Sequence, residues 1–158
     1  MVRAEAKILV AAPAQLVYAF VAEDFAQNYR RWSPEVQSLE MLTPGPLRVG
    51  SRARQVRIDQ GRRSDHRFQV IALDPPRRLG FAELSDLFRI DYQMTPIGEH
   101  TRLAFAFELR RLELYMRPFD KLIRIAAQDG AERVVRNIKG LIERESAPQS
   151  SGERHRVR

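Results

Sequence analysis

The chain has three histidines, His66, His100 and His155, and they are its first candidates for chemistry. His100 falls in a turn between two apolar runs and His155 near the end of the chain, and their spacing suits no metal ion. His66 differs. It precedes Phe68 by two positions and Val70 by four, so in an extended strand all three share one face. Glu83 stands in the same relation to Leu79 and Phe81. If those faces point inward, an imidazole and a carboxyl sit among apolar side chains. Burial disfavours their charged forms and brings both pKa values toward neutrality, which suits general acid–base work. If instead His66 lies at a strand start and Glu83 at a strand end, both are wet rim residues, and alternation alone does not choose. Gln55 and Arg57 share a face with Ala53 and are further polar candidates, but Arg54, Val56 and Ile58 leave that register open.

Missing residue types narrow the chemistry further. The chain has no cysteine, which rules out a disulfide scaffold, a thiol nucleophile, an iron–sulfur cluster and a cysteine-type zinc site. It has no G-x-S-x-G, H-E-x-x-H, P-loop or G-x-G-x-x-G pattern. Neither a metal nor a cofactor is expected.

The elements that must position these residues follow from periodicity and breakers. Ala4–Ala11 alternates as a strand, with Ala4, Ala6, Ile8 and Val10 opposite Arg3, Glu5 and Lys7. Pro13 fits the first position of a helix, where its missing N–H is harmless. Val17, Phe20 and Val21 recur at helical spacing through Glu23. A second short helix over Phe25–Arg31 stops before Ser33-Pro34. Six turn-bounded strands follow: Val36–Leu42, Ser51–Ile58, Asp65–Asp74, Leu79–Ser85, Leu87–Thr95 and Thr101–Arg111. A long helix then starts near Glu113, is disturbed at Pro118, and carries an apolar stripe from Phe119 through Leu122, Ile123, Ala126, Ala127, Ala131, Val134, Ile138, Leu141 and Ile142. One strand, two short helices, six strands and one long helix make a two-layer α+β arrangement, a seven-stranded antiparallel sheet gripping the C-terminal helix. One domain over residues 1–145 is expected, with a disordered basic tail over 146–158 whose composition offers nothing to bury.

At 158 residues the chain suits one domain, and its net charge of +7 is the one unusual feature of its composition. The basic pairs Arg30-Arg31, Arg62-Arg63, Arg77-Arg78 and Arg110-Arg111 are scattered rather than blocked, so a solvated basic surface is expected and a nucleic-acid site is disfavoured. The apolar run Ile8–Ala22 resembles a leader peptide only until Glu5 and Pro13 are considered. No stretch reaches the ~18 apolar residues of a transmembrane helix. The expected location is the cytoplasm, as a monomer or homodimer.

Several stretches are similar to one family. Ala12-Pro13-Ala14 with Val17-Tyr18-Ala19-Phe20 resembles its opening helix, and Tyr29-Arg30-Arg31-Trp32-Ser33-Pro34 its second-helix exit. Val49-Gly50-Ser51-Arg52 resembles the start of its third strand, Val70–Leu79 its most recognisable stretch, and Gly98-Glu99-His100-Thr101-Arg102-Leu103 its hairpin. The chain thus resembles the START/birch-pollen-allergen superfamily in its bacterial polyketide cyclase/dehydrase-like (SRPBCC) branch, from about Lys7 to Glu143. The resemblance implies a helix-grip fold with an internal cavity for a hydrophobic ligand between sheet and C-terminal helix. In such a fold, core and cavity lining are the same residues. The strands would contribute Phe68, Val70, Phe81, Phe88, Ile90, Tyr92, Met94, Leu103, Phe105 and Phe107. The helix and its approach would contribute Tyr115, Phe119, Ile123, Ala126, Ala127, Gly130 and Val134. Trp32 either lines the mouth or staples a helix exit.

Gly130 inside a helix costs about 1 kcal/mol against alanine. With Ala126, Ala127 and Ala131 it leaves either ligand space or a close approach of helix to sheet. An enclosed apolar pocket of roughly a few hundred Å³ is expected there. The function expected is binding of a lipid- or polyketide-like small molecule. The alternatives are a polyketide cyclase or dehydratase using His66 and Glu83 with a helper such as Arg57, and a toxin-like module that contacts ribosome or RNA.

Overall fold

Strand β1 (Val2–Val10) buries Val2, Ala4, Ala6 and Val10 and turns Arg3, Glu5 and Lys7 to water. The computed structural model describes residues 1–146, so nearly all of the expected tail lies outside the described residues. After Pro13 comes α1 (Ala14–Tyr18), which widens into a π-helical turn over Ala19–Glu23, closed by the Asp24 N–H donating to the Ala19 carbonyl at 2.8 Å. Next is α2 (Phe25–Trp32). The strands that follow are β2 (Val36–Met41), β3 (Arg52–Asp59), β4 (Arg62–Asp74), β5 (Arg78–Glu83), β6 (Phe88–Ile97) and β7 (His100–Leu109). A 3₁₀ turn over Leu114–Phe119 leads into α3 (Asp120–Glu145).

All strands join one antiparallel sheet in the order β1-β7-β6-β5-β4-β3-β2. The fold is the expected helix-grip α+β arrangement. Residues directly opposite across an antiparallel ladder share a face, so each row across the sheet can be followed. One runs Ala4, Phe107, Ile90, Phe81, Val70. The next runs Glu83, Phe68, Ala53, Met41, and Gln55 stands opposite His66 one row further. Burial of Phe81, Val70, Phe68, Ala53 and Gln55 shows that this is the face turned to the helices.

As an edge strand, β1 leaves one row of backbone groups unpaired. The side chains of α3 meet that row. Arg124 donates to the Met1 carbonyl (2.9 Å), Gln128 to that of Glu5 (3.0 Å) and Lys139 to that of Leu9 (2.7 Å). The Ala11 N–H donates to Glu143 (2.8 Å). This polar seam sets the roll of α3. Its buried stripe is Ala131, Val135, Ile138 and Ile142; the expected stripe had Val134 in place of Val135 and also took in Leu122. Leu122 is exposed, because the helix presents Arg124 and Gln128 to β1 at that level. Among the described residues, no helix is long and apolar enough to cross a membrane.

Candidate functional site

The helix-side face of the sheet carries a buried polar cluster among its apolar side chains. The Tyr29 hydroxyl, carried in by α2, donates to Gln55 Oε1 on β3 at 2.7 Å. Trp32, one helical turn on, donates its indole N–H to the Tyr92 hydroxyl on β6 at 3.3 Å. Burial pushes the Tyr29 phenol up to about 12, against the pull of the neighbouring Arg57 guanidinium. Burial raises the Tyr92 phenol too, with Tyr29 adding to the rise. Both therefore stay neutral donors across the ordinary pH range. Arg57 is partly buried and shares the Asp59 carboxylate through two hydrogen bonds, at 2.8 and 3.0 Å. Burial alone would lower its guanidinium, but Asp59 and Tyr29 outweigh it and leave it above its ordinary value. Among the described residues, every buried side-chain nitrogen or oxygen has a partner.

The register that sequence left open is set by these pairings. Gln55, Arg57, His66 and Glu83 all belong to the helix-side face, since Gln55 opposes His66 and Arg57 opposes Ser64. His66 lies just past the last β4–β5 pair, Phe68 with Glu83. Beyond it β4 runs on without a β5 neighbour, and an open cleft of about 580 Å³ forms there. His66 and Glu83 line it from the inner face, with Arg54, Asp65, Arg67, Leu84 and Ser85 around the rim. His66 is half-buried, its ring edge-on to Phe88 at 5.4 Å. Both side chains thus stand on the helix-side face, at the rim of the cleft.

Glu83 does not behave as expected. Burial raises its carboxyl, but the Ser85 hydroxyl, the N–H groups of Ser85 (2.8 Å) and Leu87 (3.0 Å), and nearby His66 together hold it below the usual carboxylate range. Its Oε1 ties down the β5–β6 turn, so the shift is away from neutrality.

Of the expected lining, Phe68, Val70, Phe81, Phe88, Tyr92, Met94, Leu103 and Phe105 are buried. Ile90, Phe107, Ile123, Ala127, Gly130 and Val134 are half-buried. Tyr115, Phe119 and Ala126 are exposed, a correction with a local cause. The 3₁₀ turn ahead of α3 has three residues per turn, which swings Tyr115 outward to accept a hydrogen bond from Arg62 at 3.2 Å. Phe119 ends the same exposed turn, and Ala126 sits on the side of α3 away from its buried stripe.

The enclosed pocket expected at the small-residue patch is not among the main clefts, which open to solvent. Aromatic rings occupy the interior instead. Phe25 lies 4.7 Å from Tyr29 and 4.9 Å from Phe81, and Tyr92 lies 5.2 Å from Phe105, measured between ring centres. Gly130 does not mark a close approach, since a methyl group added there would meet only the Arg133 head, at 3.9 Å. Sequence reasoning missed Tyr29, hidden in a run read as a helix exit. It weighed Trp32 only as a mouth residue or a staple. Their i, i+3 spacing on an aromatic-rich helix was the available signal. Among the described residues, no three His, Asp or Glu side chains converge closely enough to hold a metal ion.

Solved structures with the same fold are numerous. The Zhui aromatase/cyclase from Streptomyces sp. R1128 superposes with a TM-score of 0.73 at 18% identity, covering 90% of this chain and 93% of that one. A START superfamily protein from Mycobacterium smegmatis gives 0.69 at 16% identity, covering 91% and 99%. The polyketide-cyclase-like protein Cgl2372 from Corynebacterium glutamicum gives 0.65 at 25% identity, covering 92% and 93%. No curated protein matches the sequence. The family model described as polyketide cyclase/dehydrase and lipid transport matches residues 1–143, and the chain belongs to that family.

Proposed function

We propose that the protein binds a hydrophobic or amphipathic small molecule, lipid-like or polyketide-like, between the sheet and α3. Its polar end would meet Tyr29, Gln55 and Arg57. The observation that carries this reading is the Tyr29–Gln55 pair, buried among aromatic rings between α2 and the sheet. Tyr29 and Gln55 already satisfy one another there, so a ligand's polar end would join or replace that bond, using the lone pairs and N–H groups the pair leaves over. The family's description, which includes lipid transport, and the aromatase/cyclase among its fold relatives point the same way. Entry under the Leu114–Ile125 segment is part of the proposal. Its 3₁₀ turn buries no residue, and such weakly packed segments open most readily.

Native mass spectrometry of the full chain, followed by titration with a fluorescent long-chain fatty acid and with a polycyclic aromatic phenol, tests the proposal. A co-purified small molecule, or saturable binding of either probe weakened about tenfold by Tyr29→Phe, is expected. Failure of both probes to bind an empty protein would overturn it.

A second reading is favoured by one observation, that His66 and Glu83 flank the same cleft. In that reading the protein is a cyclase or dehydratase in which His66 moves the proton, while Glu83 stays an ionised carboxylate that orients. A hundredfold loss of turnover on an aromatic polyketide in His66→Ala, with binding retained, would establish chemistry over carriage.

A further inference from the structure

The segment that closes α3 over the sheet is itself unusual. Leu114 is 75% exposed, Tyr115 61%, Phe119 55%, Leu122 64% and Ile125 51%. Phe119, Leu122 and Ile125 are spaced by three and adjoin along the helix. Single exposed apolar residues need no explanation, but five between residues 114 and 125 do.

The surrounding charge says what would cover it. Residues 110–125 hold five basic side chains against two acids. Arg110 is neutralised by Asp86 and Glu108, and Arg124 by Asp120. Arg111, Arg117 and Lys121 are exposed and have no carboxylate partner among the described residues. Arg110, Arg111 and Arg117 line an open cleft of about 540 Å³ beside Leu112 and Asp120, roomy enough for a phosphate group. The Tyr115 hydroxyl is tied to Arg62, at the boundary between the apolar and basic parts.

We propose that residues 111–125 dock this protein onto an anionic lipid bilayer. Apolar side chains would enter the headgroup boundary while Arg111, Arg117 and Lys121 meet lipid phosphates, the arrangement of an interfacial amphipathic helix. A second copy of the chain is a poorer occupant. A two-fold contact through this face would set the same uncompensated cations against one another. This proposal concerns the outer surface and stands whether or not the interior binds a ligand.

The test is co-sedimentation of the full chain with phosphatidylcholine vesicles, with and without one-third phosphatidylglycerol. Partition onto the anionic vesicles at least tenfold above the neutral ones, weakened by high salt, is expected. The triple variant Leu114→Ser, Leu122→Ser, Ile125→Ser should lose that binding tenfold or more with an unchanged circular dichroism spectrum. Arg117→Glu with Lys121→Glu should do the same without touching the apolar residues. The proposal fails if the wild type ignores anionic vesicles, or if both variants bind like it. It also fails if the protein is a dimer by ultracentrifugation that the serine variant dissociates, since the face then belongs to a second copy.

Discussion

The Tyr29 hydroxyl on α2 donates a 2.7 Å hydrogen bond to Gln55 Oε1 on β3, with both side chains buried. This bond joins the helical layer to the sheet inside the core. Tyr29→Phe should leave the Gln55 oxygen without its donor and lower stability by about 1–3 kcal/mol, the penalty for an orphaned buried acceptor. Combining it with Gln55→Met should recover most of that loss, because no polar atom then remains unpaired. Urea denaturation of the two single variants and the double checks this. Additive losses would show that the two residues are not coupled.

Glu83 gives an acid-side signature. Its folded pKa lies below the ordinary carboxylate value of about 4.3. Its contribution to stability is therefore fully present above that value and is lost as pH falls through the lower folded one. Glu83→Gln should be less stable than the wild type at neutral pH, and the gap should close progressively in the acid range. Parallel unfolding curves through that range measure it. A gap that widens on acidification would mean that the carboxyl is raised rather than lowered.

How far these positions were legible depended on local pattern. Phe88, Ile90, Tyr92 and Met94 alternate with Arg89, Asp91, Gln93 and Thr95, so one strand sufficed to orient β6. In β3, Arg54, Val56 and Ile58 oppose Ala53, Gln55 and Arg57 with no clear difference in polarity. Only the pairing of Gln55 with His66 decided its register. Glu83 was readable as inward by alternation, but the turn that satisfies its carboxylate was not. The roll of α3 escaped the sequence for a similar reason. Arg124 and Gln128 look like solvent-facing residues until an unpaired strand edge is placed beside them.

That seam makes a measurable claim. Glu143 is held below the usual carboxylate range first by Lys139 and then by the Ala11 N–H. Glu143→Ala should leave the Ala11 amide with no protein acceptor and speed its hydrogen exchange at least tenfold. Exchange at Val10, inside the β1–β7 ladder, should change less. Equal acceleration at both would point to unfolding of the whole edge, not loss of a local cap.

Gly130 offers the sharpest separation of stability from binding. Alanine there would bring a methyl group to 3.9 Å from the Arg133 head, an ordinary contact, with the helical backbone otherwise undisturbed. Removing a glycine from a helix interior gains about 1 kcal/mol, so Gly130→Ala should raise Tm by roughly 2–4 °C for a domain of this size. Gly130→Leu fills more of the same space. If the proposed ligand lies between α3 and the sheet, the leucine variant should keep its Tm near that of the alanine variant and bind the fatty-acid or phenol probe at least tenfold more weakly. Destabilisation by alanine would show that the helix packs closely after all. Unchanged probe binding in the leucine variant would move the ligand away from this helix, toward the His66 cleft.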